Sequence, residues 1–464
     1  MKVIPSKLVP PGRQPMGIKN MSEVETEIVK LLPTHANATQ EYAPGGVNRI
    51  QFRIPAFTNS WLDNSRSFLS YKIQTIVANS DALNDLKLGD TPGCWVSRLV
   101  LKSSSGLVLE DINNYNVLKK ILTSMETEES AKADEGNYAA LTAYEDLKVV
   151  CTRQKREANT YILKFNTGIL SQHLNAYLPL HIMDKGSFAF DVELYLANSR
   201  DCMEYVTDEP DATLAGGLDG RYIITNPTFN LFLVKVDESI CKKYNQISCD
   251  ETERVVIPYS TFHNHQSSVS SQTQTVFISD NCTDLKRVYS VFHNTQNDPD
   301  KVAGANLRPW DFKGSVAYSG GERLISYNYK LGNKRIYNED VQETDNNNES
   351  LNHFLNAHYK GAKPCCPSMH IAKMNFGDAS AEFQPNYETN GDFVLCPNFT
   401  YSEESSKGVI QGVSAGGLPI TATFKFAGTP NLTNNNFVEC GYDLVIQNGQ
   451  LSYVEHRLDG EYSY

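Results

Sequence analysis

His263 and His265, in the run Phe-His-Asn-His-Gln (262–266), are spaced so that two imidazoles share one face of a β-strand, as two ligands of a metal-binding sandwich do. Such a site also asks for a nearby glutamate and a third histidine, and residues 266 to 280 hold neither. The pair therefore reads as incidental histidines on an aromatic-rich strand. The ten cysteines lack the paired short spacings of tetrahedral zinc sites, and adjacent Cys365 and Cys366 read as buried reduced thiols rather than a redox pair. Glu110 and Asp111 form a carboxylate pair at a strand end, where solvation accounts for them. Ser-Ser-Ser-Gly (103–106) and Ala-Tyr-Ser-Gly-Gly-Glu (317–322) lack the Lys-Ser/Thr that a phosphate loop places at a helix start, so both are turns. No Gly-x-Ser-x-Gly elbow occurs. The chain offers no catalytic residue, no cofactor-binding residue, no metal ligand set and no cofactor requirement; it reads as a non-enzyme.

The elements that would carry such residues are strands. Ile50, Phe52 and Ile54 alternate with Gln51 and Arg53, and Leu69, Tyr71, Ile73, Thr75 and Val77 alternate with polar residues, the period-two pattern of half-buried β-strands. Between them Thr58, Asn59, Ser60, Asp63, Asn64 and Ser65 predict a polar turn. Further strands are expected at 95–101 and 107–112 around the Lys-Ser-Ser-Ser-Gly turn, at 161–165, and at 186–199 with Phe188, Phe190, Val192, Leu194 and Leu196 on one face. A second series begins at 221–236 and continues near 253–262, 275–279, 286–292, 322–330, 368–376, 419–426 and 442–455. Helical spacing appears in 113–125, where Tyr115, Leu118, Leu122 and Met125 form one apolar stripe, and again at 137–149 and 349–359. A capping box of Ser22 and Glu25 predicts a short helix over 21–32. The Asn-rich runs 339–350 and 431–437 are expected as loops.

At 464 residues the chain exceeds what one hydrophobic core usually serves, and 24 Tyr and 20 Phe suit pleated surfaces better than helical bundles. A net charge of -12 disfavours a broad nucleic-acid-binding face. No stretch offers the roughly 18 apolar residues of a membrane span, and residues 1 to 20, with four basic residues, no acid and four prolines, read as a basic arm. The expected organisation is an all-β chain: an N-terminal arm (1–44), a first β-sandwich (45–220) ending in the acidic, Gly-rich segment 206–220, and a second sandwich (221–464) with Phe229, Leu231 and Leu233 in its core.

The block Val47 to Val77, the segment 96–122 with its strand, glycine turn, strand and Tyr-Asn helix, the strands of 177–197 and the entry strand 222–236 together resemble the double jelly-roll major capsid proteins of tailless icosahedral DNA viruses, especially polinton-like viruses and virophages. The resemblance covers most of residues 45 to 455. It implies two tandem eight-stranded jelly rolls, a homotrimer whose six barrels make a pseudo-hexagonal tile, and tiles that pave a shell. Partners would be copies of the same chain in its own trimer and in neighbouring capsomers, and minor capsid or penton proteins; no sequence-specific nucleic acid or transmembrane segment is expected. The protein would be made in the host cytoplasm and reside in the virion. A penton-like minor capsid protein would have one barrel, and a carbohydrate-binding sandwich would need exposed aromatic platforms, whereas Trp61, Trp95 and Trp310 read as core.

Overall fold

The computed structural model describes residues 25–34, 40–76, 85–88, 93–125, 160–174, 176–183, 188–206, 221–251, 253–294, 312, 314, 322–343, 349–350, 353, 393–397, 399, 402–404 and 409–455. In chain order its first strands are β1 (Thr26–Leu31), β2 (Arg49–Pro55), β3 (Ser60–Ile76), β4 (Asp85–Leu88), β5 (Val96–Ser103) and β6 (Val108–Asn113), followed by helix α1 (Tyr115–Met125). Then come β7 (Thr160–Leu163), β8 (Phe188–Leu196), β9 (Met203–Val206), β10 (Arg221–Lys235) and helix α2 (Glu238–Cys249). The rest comprises β11 (Val255–Val269), β12 (Thr273–Ile278), β13 (Leu285–Asn294), β14 (Leu324–Leu331), β15 (Lys334–Arg335), β16 (Val341–Gln342), β17 (Ser402–Glu404), β18 (Val409–Gln411), β19 (Ile420–Phe426), β20 (Leu432–Gln447) and β21 (Gln450–Glu455).

Two four-stranded antiparallel sheets, ordered β1-β10-β3-β7 and β2-β8-β5-β6, face each other in the first half. Leaving aside the separate β4-β9 pair, the last strand lies between the first and third, and the seventh between the second and fourth, which is the jelly-roll interleaving. The second half repeats it: β20 lies between β11 and β13, and β19 between β12 and β14. β16 and β15 pair with β14 on that sheet's far side, and Leu395 bridges Ser290 of β13. β21 adds to β20 through an Asn448-Gly449 turn whose two residues both have positive φ, the backbone twist that closes a tight hairpin.

The alternation read from the sequence sets the core. Ile50, Phe52, Ile54, Leu69, Tyr71, Ile73, Phe190 and Val192 are all buried, whereas Phe188 is only half-buried, with the Arg53 guanidinium 5.1 Å from its ring centre. Each fully buried side chain of this size contributes about 1.5–3 kcal/mol. Phe229 departs from expectation, because its ring packs edge-on against Phe52 at 5.8 Å and Phe165 at 5.7 Å, within the first pair of sheets rather than the second. β10 is responsible: it pairs along β3 and β1, and its Asn226-Pro227 is absorbed as a bulge with Asn226 at φ 50°. In the second pair of sheets Phe292 meets Phe424 at 4.9 Å and Phe426 at 5.4 Å.

Several local expectations are overturned. The helix expected over 21–32 is, where described, strand β1, because β-branched Thr26, Ile28 and Val29 find backbone partners along β10 and Glu25 pairs with Lys235 at 3.0 Å instead of capping a helix. The turn expected over 58–65 shrinks to residues 56–59, and Asp63 to Ser67 form a bulge inside β3, where the Asp63 carboxylate accepts from the Ser65 amide at 3.0 Å. Asn-rich 431–437 is no loop. Asn434, Asn435 and Asn436 are fully buried in β20, the middle strand of its sheet. Their amides satisfy one another and their neighbours: Asn436 Nδ2 donates to Asn434 Oδ1 and Ser290 Oγ to Asn436 Oδ1, each at 2.5 Å, while Asn435 Nδ2 lies 2.6 Å from His293 Nε2. In 339–350, Val341 and Glu343 are buried as well. The hairpin around Gly106 and helix α1 form as expected, with Ile121 joining Tyr115 and Leu118 in the core. The arm 1–20, the helix at 137–149, the segment 207–220, the strand at 368–376, Trp310 and Cys365-Cys366 lie outside the described residues, as does most of 349–359.

Because the asparagine cluster is buried and mutually bonded, Asn436→Ala should cost roughly 1–3 kcal/mol by stranding the Ser290 and Asn434 groups. Urea unfolding of the purified chain checks this, and a loss smaller than that of an exposed helical control such as Lys243→Ala would contradict it.

Candidate functional site

Glu110 is the first sequence-flagged residue that the fold relocates. Pairing with β5 sets Glu110 opposite Leu101 and Ile112 opposite Leu99, so the carboxylate points to the core side and is only 3% exposed, while Asp111 faces solvent and takes a two-pronged contact from Arg98 at 2.5 and 2.7 Å. Glu110 Oε1 accepts the Ile169 amide at 2.8 Å. Burial pushes the Glu110 carboxyl up to about 7, with the Ile169 hydrogen bond opposing. Gly168, at φ 65°, packs directly on this carboxylate, where a Cβ would have no room, and its amide donates to Ser260 O at 2.9 Å. That bond joins the two halves, as do Asn114 Nδ2 to Asn435 Oδ1 at 3.0 Å and Asn264 Nδ2 to Asn113 O at 3.2 Å. Glu343, in the second half, is pushed up by burial and by Glu349 to about 8.

The histidines set aside from sequence also turn out to have company. His263 and His265 lie on the same face of β11, and both reach Asp280, in the connection after β12: His263 Nδ1 is 2.9 Å and His265 Nε2 3.1 Å from Asp280 Oδ2. Asp280 Oδ1 accepts the Cys282 amide at 3.2 Å, and Tyr442 Oη sits 3.2 Å from His263 Nε2. Cys440 of β20 brings its sulfur 3.9 Å from His263 Nδ1 and is joined to Cys282 as a disulfide. Cys94, Cys202, Cys241 and Cys396 are buried cysteines outside any disulfide, and Cys249 is an exposed one. Asp280 is 5% exposed at its side chain, against 37% for His263 and 29% for His265, so the group sits in a shallow, solvent-reached recess. Burial pushes the Asp280 carboxyl up, but the two histidines outweigh it and hold the group well below the usual carboxylate range. Asp280-Asn281-Cys282 and the distant Cys440 supply neither the glutamate nor the third histidine expected after His265, so the run Phe-His-Asn-His-Gln alone does not reveal them. The local signal of the group is a His-x-His run followed by Asp-x-Cys.

No family model matches the chain, and no curated protein matches it at a significant level. Solved structures do match. A chain from the Sputnik virophage structure superimposes with a TM-score of 0.57 at 11% identity, covering 100% of this chain and 96% of that one. The mavirus major capsid protein gives 0.52 at 12% identity over 96% of this chain and 94% of its own. The Faustovirus major capsid protein gives 0.52 at 9%, covering 94% and 92%. The fold is that of viral major capsid proteins. In that fold the contacts joining Gly168 with Ser260 and Asn114 with Asn435 connect its two halves, and the Asp280 recess lies on the second of them.

Glu110 and Glu343 give the chain a definite pH response. Their folded-state values, about 7 and about 8, stand above the ordinary 4.5, so the folded protein holds protons that the unfolded chain releases. Stability is then fully present below about pH 4.5 and is lost as pH rises through 7 to 8, by roughly 3 kcal/mol for Glu110 alone. Urea midpoints should fall between pH 5 and pH 8, and Glu110→Gln should flatten that fall; an unchanged slope in the variant would contradict the assignment.

Proposed function

We propose that this chain is a major capsid protein, a non-enzymatic subunit that forms homotrimeric, pseudo-hexagonal capsomers and tiles an icosahedral virion shell. The observation that carries the reading is the double occurrence of one sheet order in a single chain, together with a likeness to capsid-protein structures that spans nearly the whole length of both partners. Two jelly rolls of equal topology in one chain let three chains present six similar barrels, so a three-fold assembly meets six-fold surroundings. We count eight strands in each roll, with Leu395 and its flanking residues serving as the sixth strand of the second. We draw the end of the first roll after Lys235, later than the residue 220 suggested by the acidic segment, since β10 is the roll's eighth strand. A penton-like subunit would need only one roll, and a carbohydrate-binding role would need exposed aromatic platforms, whereas Trp61 and Trp95 are buried. On this reading the partners are other copies of the chain and minor capsid or penton proteins, and the chain is made in the host cytoplasm and ends in the virion.

Native mass spectrometry and negative-stain images of the purified protein are expected to give trimers with hexagonal outlines; monomers or pentamers would overturn the reading. Phe190→Asp, which buries an unpaired charge between the sheets, should abolish soluble trimer, and an unchanged trimer yield would contradict the packing of β8.

A further inference from the structure

His263, Asp280 and Cys440 each present one donor atom, and the three atoms lie within 4.8 Å of one another. Three separate stretches of chain meet here: β11, the connection from β12 to β13, and β20. Cys282 Sγ, bonded to Cys440 Sγ, supplies a fourth donor at the same point. In a tetrahedral zinc site with ligand bonds of about 2.0–2.3 Å, neighbouring donors stand about 3.3–3.8 Å apart. The separations of His263 Nδ1 from Asp280 Oδ2, 2.9 Å, and from Cys440 Sγ, 3.9 Å, fall within a few tenths of an ångström of that span. The surroundings are those of a ligand set. Tyr442 Oη, 3.2 Å from His263 Nε2, can accept that nitrogen's proton and leave the Nδ1 lone pair facing the cluster, and His265 Nε2, 3.1 Å from Asp280 Oδ2, holds the carboxylate from outside.

We propose that, when Cys282 and Cys440 are reduced, this recess binds one zinc-class divalent cation through His263 Nδ1, Asp280 Oδ2, Cys282 Sγ and Cys440 Sγ, with His265 and Tyr442 positioning the ligands. A mixed set of two thiolates, one imidazole and one carboxylate favours a borderline-soft ion over magnesium or calcium. The disulfide is the alternative state of the same four-residue cluster. Its reduction breaks one S–S bond and takes up two electrons and two protons, which a dithiol reductant supplies as it closes to its own disulfide. Cation binding then displaces the two thiol protons to solvent. The bound ion would clip the connection between the second roll's two sheets to strands β11 and β20, a link independent of whether the chain assembles into capsomers.

The test uses the full chain, purified with a phosphine reductant, dialysed against zinc chloride and then against metal-free buffer. Elemental analysis should give one zinc per chain, and cobalt(II) in its place should show a thiolate-to-cobalt charge-transfer band. Cys440→Ser should lose the band and at least tenfold of the zinc retained. His265→Gln, which leaves all four ligands in place, should keep the stoichiometry while weakening affinity about 10- to 100-fold. Wild-type protein that retains no more zinc than Cys440→Ser, or that binds cobalt without the charge-transfer band, overturns the proposal.

Discussion

The architecture depends on one constraint: in each half, the strand that closes the sheet must be inserted between two strands that precede it by more than a hundred residues. β10 reaches back between β1 and β3, and β20 between β11 and β13. Until that insertion happens, β3 and β13 each have an unpaired edge, and the aromatic faces they carry lack their opposing wall. The long registers that result, from Arg221 to Lys235 on β3 and from Val255 to Val269 on β20, are what bury the rings of Phe229 and Phe437. Contacts of this sequence separation are slow to form, because loop-closure entropy must be overcome before packing compensates.

The same insertion explains why polar residues occupy the centre of the second roll. In β20, paired on both edges and covered on both faces, every side chain from Leu432 to Val438 is buried whatever its type. At Asn434 to Asn436 the amides are satisfied sideways, by Ser290, Val291 O, His265 O and His293. Lys119 follows a parallel logic in the first half, fully buried yet donating to Lys164 O at 2.9 Å and Asn166 Oδ1 at 2.7 Å. Buried polar groups with fixed partners favour one register over its neighbours, since a slip of one residue would strand several of them at once.

Most of the fold was legible because period-two alternation reports half-burial directly: Ile50-Phe52-Ile54 and Leu69-Tyr71-Ile73 were read correctly for that reason alone. Failures arose where a long-range partner decides the outcome. Thr26–Leu31 becomes a strand only because β10 lies beside it, and Glu110 is buried only because the β5–β6 register turns it inward. Composition misled at 431–437, where asparagine usually marks a loop, since no local signal says that each amide will find a buried partner. The recess around Asp280 was half legible: the His-x-His spacing is a local feature, but Cys440 lies more than 150 residues from its disulfide partner.

The sheets β1-β10-β3-β7 and β2-β8-β5-β6 have all their strands once the chain has been synthesised as far as Lys235, whereas the sheet of β11, β20 and β13 must wait for Leu432 to Gln447 before its middle strand exists. On the ribosome the two halves therefore reach closure at different moments, and the earlier one can finish while the later one still trails as an open sheet. Premature termination before Leu432 would then spare the leading half and leave the trailing half with its edges exposed to other nascent copies.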